Sequence, residues 1–248
     1  MPRWNRATYA ARRRGDGGLG ENHRMMTRID TVIFDMDGTV LNTLEDLTAS
    51  VNYTLRRFAM PEHPAEDYRR FFGNGIRYAL RRAVPEGTAD EQVDEMIPVF
   101  REHYDRHCLD HTRPYDGIPE LMEQLKGQGY RLAIVSNKID SAVRELNGKF
   151  FSGYVDVAIG ERDGIRRKPA PDTVLQALRE LGSSGKTAVY IGDSEVDLRT
   201  AENAGVPCIT VLWGFRDRRD LEREGAVTFA GTPRDVLEIL RKSGQGEI

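Results

Sequence analysis

The sequence predicts an α/β fold, a parallel sheet covered by helices on both faces, with an all-helical unit inserted after the first strand. Two observations carry this expectation. Short β-rich apolar runs alternate with amphipathic helical patterns over most of the chain, and one long stretch, 44–112, shows helical spacing with no convincing strand.

The elements follow in chain order. The first 26 residues, "MPRWNRATYAARRRGDGGLGENHRMM", are rich in Arg and Gly and lack hydrophobic periodicity, so a disordered arm is expected over 1–26. Met25-Met26 stands just before the first strand, which favours an upstream start codon over a transit peptide or a nucleic-acid arm. The arm also lacks the apolar centre of a secretory signal. "DTVIFD" reads as the first strand. "LEDLTASVNYTLRRFA", "AEDYRRFFG", "IRYALRRAV" and "ADEQVDEMIPVFREHYDRHCL" then carry apolar residues at helical spacing. A structureless loop of that length is improbable in a compact domain, so 43–112 is expected to be an inserted subdomain.

Alternation resumes at 113. Strands are expected in "YRLAIVSN", "VDVAIG", "TAVYIGD", "VPCITVL" and "GAVTFA"; helices in "GIPELMEQLKGQG", "APDTVLQALRELG", "SEVDLRTAENAG" and "TPRDVLEILRKSG". Strands that are apolar almost throughout belong in a sheet buried on both faces, which makes 27–42 with 113–248 a Rossmann-like core. Gly182 and Gly205 stand where helices close, and Pro207 follows the second.

Composition narrows the class. A chain of 248 residues with 39% hydrophobic and 30% charged residues suits one or two compact units, and a net charge of −3 gives no whole-chain reason to expect nucleic acid. Cys108 and Cys208 are too few for a disulfide framework or a thiolate metal cage, so a cytoplasmic location is expected. No apolar stretch approaches a membrane span.

In open α/β sheets ligands bind at the carboxyl ends of strands, and four such places carry polar residues. Asp35, Asp37, Gly38 and Thr39 follow the first strand; Ser136, Asn137 and Lys138 follow "RLAIV". "RRKPAPD" places Lys168 before a proline-opened helix, and Asp193, Ser194 and Asp197 follow "AVYIG". Converging carboxylates repel unless a cation holds them, and an all-oxygen set without His or Cys favours Mg²⁺. A lysine and a hydroxyl at the same rim suit a phosphoryl group, so the expected chemistry is phosphoryl transfer.

"DMDGT", "SNK", "KPAPD" and "GDSEVD", in this order, resemble the four motifs of the haloacid dehalogenase superfamily, and the resemblance spans about 29–242. It implies that Asp35 is a nucleophile forming an aspartyl-phosphate and that Asp37 protonates the leaving alkoxide, then activates water. It further implies Mg²⁺ on the Asp35 carboxylate, the Asp37 backbone carbonyl and Asp193, with Asp197 as an outer partner. Ser136 and Lys168 would hold the phosphoryl oxygens, with Thr39 and Asn137 nearby. Asp37 favours phosphatase over dehalogenase chemistry, because only an alkoxide needs a proton. A Schiff-base route to phosphonate cleavage needs a cap lysine, and 44–112 contains none.

The helical insert matches the superfamily's small cap, which favours small phosphorylated metabolites over proteins. "FFGNGIRYALRRAV", "RPYDGIPELMEQLKGQGYRLAIVSNK" and "WGF" resemble phosphoglycolate phosphatases, although Asn42-Thr43 replaces their common Asp-Ser. Gly73, Asn74, Gly75 and Arg77 are candidate specificity residues in the cap. The alternatives are a sugar phosphomutase, a pyrophosphatase or nucleotidase, and a non-catalytic phosphate-binding module. No membrane or nucleic-acid partner is expected, and either a monomer or a homodimer is compatible with the sequence. His103, His107, Cys108 and His111 crowd one helix end, but no HExxH glutamate accompanies them, so a helix surface is expected there rather than zinc.

Overall fold

In the computed structural model the structure describes residues 28–243, so the expected arm, 1–26, lies outside the described residues. From the start, β1 (Thr31–Phe34) leads through β2 (Leu41–Asn42) into four helices, α1 (Leu44–Arg57), α2 (Ala65–Tyr68), α3 (Ile76–Ala83) and α4 (Asp90–His107). β3 (Arg113–Pro114) brings the chain back, followed by α5 (Ile118–Gly127), β4 (Arg131–Ile139), α6 (Asp140–Phe150) and β5 (Val157–Glu161). The last third runs α7 (Asp172–Glu180), β6 (Ala188–Gly192), α8 (Glu195–Ala204), β7 (Cys208–Val211), α9 (Arg218–Arg223), β8 (Phe229–Ala230) and α10 (Pro233–Ser243).

Six strands form one parallel sheet in the order β5-β4-β1-β6-β7-β8. Each grew from an apolar run expected to be a strand, and their two-residue alternation divides the core. Val32, Phe34, Leu132, Ile134, Val189 and Ile191 pack on one face, against α5 and α10. Ile33, Ala133, Val135, Ala188 and Tyr190 pack on the other, against α7 and α8. Burying each large apolar side chain contributes about 1.5–3 kcal/mol, so the central strands anchor everything attached to them. The chain winds outward one way through β4 and β5 and the other way from β6 to β8. The switch point therefore lies at β1 with its neighbours β4 and β6, whose carboxyl ends form a crevice.

The four helices α1 to α4 build a separate cluster around Val51, Leu55, Tyr68, Leu80, Met96 and Phe100, which Ala142 of α6 and Phe215 join from the core. Two strands of chain connect the units. They pair antiparallel, Leu41 with Pro114 and Asn42 with Arg113. Asp46, the third residue of α1, is buried beside them, and its carboxylate accepts the N–H of His111 at 3.0 Å and the N–H and hydroxyl of Thr112, each at 2.8 Å. A carboxylate in a helix's first turn is also favoured by the helix dipole.

Two helices, α6 and α9, had not been read from the sequence. α2 is a single turn where a longer helix was expected: beyond Tyr68 the N–H groups of Arg70 and Phe71 bond three residues back, to Asp67 and Tyr68, and Gly73 and Gly75, at φ of 113° and 83°, then hold "GNG" as a loop. Among the described residues no helix is long and apolar enough to cross a membrane.

Candidate active site

The backbone turns immediately after Asp35. The Asp35 N–H still donates to the Ile191 carbonyl at 2.9 Å, continuing the ladder. Beyond it the N–H groups of Val40 and Leu41 fold back onto the Met36 carbonyl at 3.1 and 3.0 Å, and Gly38 takes φ 84°. Asp35 and Asp37 are thus no longer strand neighbours at a period of two, and each carboxylate meets a different lysine.

Asp35 faces Lys168, whose ammonium donates to Asp35 Oδ1 at 2.7 Å, to Asp197 Oδ1 at 2.8 Å and to the Tyr190 hydroxyl oxygen at 3.0 Å. Tyr190 in turn donates to Asp197 Oδ1 at 2.9 Å. Asp197 Oδ2 accepts the Ser194 hydroxyl at 2.6 Å and the N–H groups of Ser194 and Asp193 at 3.1 and 3.2 Å. With both oxygens occupied, Asp197 opens α8 and braces the site from behind.

Asp193 is held by the Phe215 N–H on Oδ2 at 2.6 Å and by the Thr39 hydroxyl on Oδ1 at 3.4 Å. Glycine is required on both sides of it, since a Cβ on Gly38 or Gly214 would collide with the carboxylate. Oxygens of Asp35, Asp193 and Asp197 lie within 4.8 Å of one another, the one such acidic group among the described residues.

Burial and proximity decide their charges. Burial raises the Asp35 carboxyl well above its usual range, the Asp197 charge adds to this, and Lys168 only partly offsets it. Asp193 is pushed up to about 7, first by burial and then by Asp197. For Asp197 burial also acts upward, but Lys168 and the hydrogen bonds from Ser194 and Tyr190 outweigh it and hold the carboxyl below its usual value. Lys168 is raised, since Asp197 and Asp35 overcome the burial that would otherwise lower it.

A cleft enclosing about 560 Å³, its solvent-facing mouth included, opens at Asp35, while Asp193, Asp197 and Lys168 lie outside its lining. Asp35, Asp37, Ser136, Asn137 and Lys138 form its floor. Leu47, Phe72, Ile76, Phe100 and Tyr104 of the helical unit roof it, with Gly73 and Gly75. Asn137 donates to the carbonyls of Gly73 at 3.1 Å and Lys168 at 3.0 Å, joining roof to floor. The Ser136 hydroxyl accepts the Lys138 N–H at 3.2 Å. Arg77 is not brought to the cleft: its guanidinium meets Asp94 at 2.6 Å on the helical unit's surface. Asn74 reaches Glu195 at 3.5 Å. The histidines take separate partners, His103 with Ser50, His107 with Asp110 and His111 with Asp46.

The family model of haloacid dehalogenase-like hydrolases matches residues 32–211, from β1 to β7. The chain belongs to this family. As a haloacid dehalogenase-like hydrolase it is an enzyme, and the matched span takes in every residue from Asp35 to Asp197. It is 32% identical over 221 residues to phosphoglycolate phosphatase 1 of Pseudomonas aeruginosa, covering 86% of this chain and 80% of that one. Identity to the phosphoglycolate phosphatase of Aquifex aeolicus is 31% over 74% of this chain and 85% of that one. It is 30% to pyrophosphatase PpaX of Halalkalibacterium halodurans, over 76% and 86%. Among solved structures, a proposed phosphoglycolate phosphatase from Lactobacillus delbrueckii subsp. bulgaricus superimposes with a TM-score of 0.82 at 36% identity, covering 86% of this chain and 98% of that one.

This haloacid dehalogenase-like hydrolase also has site residues that no sequence motif marks. In the sequence Lys138 is marked only by its strand-end position, yet its ammonium lies 2.9 Å from Asp37 Oδ1. Tyr190 stands in the apolar strand run "AVYIG", where its hydroxyl is the one polar side-chain group and the available signal. Arg216, buried just past "WGF", donates to the Phe72 carbonyl at 2.8 Å and to Glu195 at 2.8 Å, while Arg69 donates to the Gly214 carbonyl at 2.7 Å. This reciprocal clasp holds the loop that leads into "GNG". No local pattern predicts it, since its bonds to Phe72 and Gly214 each join residues more than a hundred positions apart.

Proposed function

We propose that this hydrolase is a Mg²⁺-dependent phosphatase of small phosphomonoesters, acting through phosphorylation of Asp35, with 2-phosphoglycolate as the best single substrate. The observation that carries the reading is the division of the two aspartates on one cleft floor: Asp35 lies beside Lys168 and Asp37 beside Lys138.

The residues present fit a hard divalent cation. The donors are all oxygen, buried, and cradled by Gly38 and Gly214, where any Cβ would intrude. Asp35, Asp193 and the Asp37 carbonyl would hold the metal, with Asp197 behind them. Mg²⁺ there would favour the charged form of carboxylates whose pKa burial raises, and would offset charge on a phosphoryl group.

The chain's own groups then supply the steps. An Asp35 oxygen attacks phosphorus, the bond from phosphorus to the ester oxygen breaks, and that oxygen takes the bond pair and a proton from Asp37. Asp37, now a carboxylate, takes a proton from water as the water oxygen attacks the same phosphorus. The bond from phosphorus to Asp35 breaks, so alcohol and phosphate leave and both aspartates are restored. Lys168 and Ser136 would hold phosphoryl oxygens, and Thr39 and Asn137 would keep the rim in place. The helical unit, 43–112, would act as a cap that excludes water.

Curated relatives named phosphoglycolate phosphatase support the substrate, and "GNG" at the roof supports a small one. With Arg77 paired outward to Asp94, a substrate carboxylate would rely on other groups. Pyrophosphate is a second reading, favoured by the PpaX relatives. A reducing cytoplasm fits Cys108 and Cys208, which are both free.

The test is release of free phosphate from 2-phosphoglycolate, pyrophosphate and a hexose phosphate, each with Mg²⁺ and with chelator. Fastest release from 2-phosphoglycolate, abolished by chelator and by Asp35→Asn, is expected. Turnover that survives the chelator would contradict the metal assignment. Faster release from pyrophosphate would move the substrate, and isomerised hexose phosphate without phosphate release would make the enzyme a mutase.

A further inference from the structure

Asp37 is held asymmetrically. Both of its side-chain bonds fall on one oxygen, Oδ1, which accepts the Thr43 hydroxyl at 2.7 Å and meets the Lys138 ammonium at 2.9 Å. The other oxygen accepts no hydrogen bond among the described residues, and Asp37 itself lines the cleft. Lys138 is nearly enclosed, with 4% of its side chain exposed, so its position is set by what surrounds it. On the far side it donates to the Tyr104 hydroxyl oxygen at 2.9 Å, with the ammonium 4.5 Å from the centre of the Tyr104 ring. Tyr104 lies on α4, is 1% exposed and stacks on Phe100 with centroids 5.4 Å apart. A side chain of the helical unit thus reaches the proposed acid/base of the core through a single lysine.

We propose that Tyr104 and Lys138 are positioning residues for Asp37: they hold Oδ1 so that the free oxygen delivers its proton to the departing alkoxide and later takes one from water. The assignment rests on the proposed role of Asp37. Its physical basis is that a charge-assisted bond fixes a carboxylate's rotation, and that proton transfer in the transition state depends on that geometry. Tyr104 extends the fixing across the two units, so Asp37 is aligned when the helical roof is seated. A buried lysine could instead be satisfied by these partners with no effect on proton transfer, and leaving-group dependence separates the two.

The experiment compares kcat/KM on 2-phosphoglycolate, whose alkoxide needs a proton, and on p-nitrophenyl phosphate, whose phenolate leaves without one. The enzymes are wild type, Tyr104→Phe, Lys138→Met and Asp37→Asn, each with Mg²⁺. Because kcat/KM covers only steps through the first irreversible one, p-nitrophenyl phosphate reports phosphoryl transfer without the later water step. Tyr104→Phe keeps the ring and its packing. It is expected to lose about tenfold on 2-phosphoglycolate and less than about twofold on p-nitrophenyl phosphate, while kcat on the latter falls because water activation slows. Lys138→Met is expected to show the same pattern more strongly. Equal losses on both esters, or none, in the Tyr104 and Lys138 variants would overturn the assignment if Asp37→Asn shows the selective loss. If Asp37→Asn itself shows no selectivity, the acid/base reading of Asp37 falls and the inference falls with it.

Discussion

Lys168 faces two carboxylates at nearly the same distance, 2.7 Å to Asp35 and 2.8 Å to Asp197, yet they hold their charge differently. Asp197 adds four further donors, from Tyr190, Ser194 and two backbone N–H groups, whereas Asp35 has no comparable set. The Asp197 carboxyl is therefore held below its usual range, whereas burial raises those of Asp35 and Asp193. Asp193 is fitted between two glycines that cannot become alanine without a collision. Gly214→Ala is expected to raise the Mg²⁺ concentration for half-maximal activity by about tenfold or more and to cost about 1–3 kcal/mol in stability. A magnesium titration of activity, read beside thermal unfolding, checks this; an unchanged titration would show that Asp193 does not hold the metal.

On the scale of elements, α4 connects the cleft to the outer surface of the helical unit. Tyr104 points inward from it, while His103 stacks between Tyr53 and His107, with centroids 4.1 and 4.4 Å away. Burial, and then the charge of His107, lower the His103 pKa from its ordinary 6.5. The groups facing it include Arg56 and Arg106, which act downward, and Asp110, which acts upward. A lowered histidine pKa means the unfolded chain binds the proton more readily. The His103 contribution to stability is thus complete above about pH 6.5 and is lost as pH falls through the lower folded value. Between about pH 7.5 and pH 5.5 the wild type is expected to lose more unfolding temperature than His103→Gln, as thermal melts at both pH values will show. Equal slopes would remove His103 from the pH dependence. The elements themselves were legible to different degrees. Strands such as "VIF" and "RLAIV" show burial on both faces directly, and the helices closed by Gly182 and Gly205 end where glycine supplies φ of 60° and 70°. Helix α6 is hard to see in the sequence because "DSAVRELNGKF" begins without a break after β4, so strand and helix share a boundary with no punctuating residue.

The whole molecule is a parallel sheet whose switch point gathers residues from four distant segments beneath a helical roof. The strand-end aspartates, Ser136 and Lys168 could be read from the sequence because topology alone brings carboxyl ends together. Lys138 with Tyr104, and Arg216 with the Phe72 carbonyl, could not, because each joins groups whose proximity depends on how the helical unit sits on the core. For the same reason the sequence could name Arg77 only as a candidate specificity residue; it meets Asp94 on the surface of the helical unit. The central claim is that Asp35 becomes covalently phosphorylated. The most direct measurement is a rapid acid quench with p-nitrophenyl phosphate and Mg²⁺, followed by mass analysis of the peptide containing Asp35. One phosphoryl group on that peptide in the wild type, absent from Asp35→Asn, is the predicted result; p-nitrophenol released in turnover with no phosphoryl group on Asp35 at any quench time would contradict it.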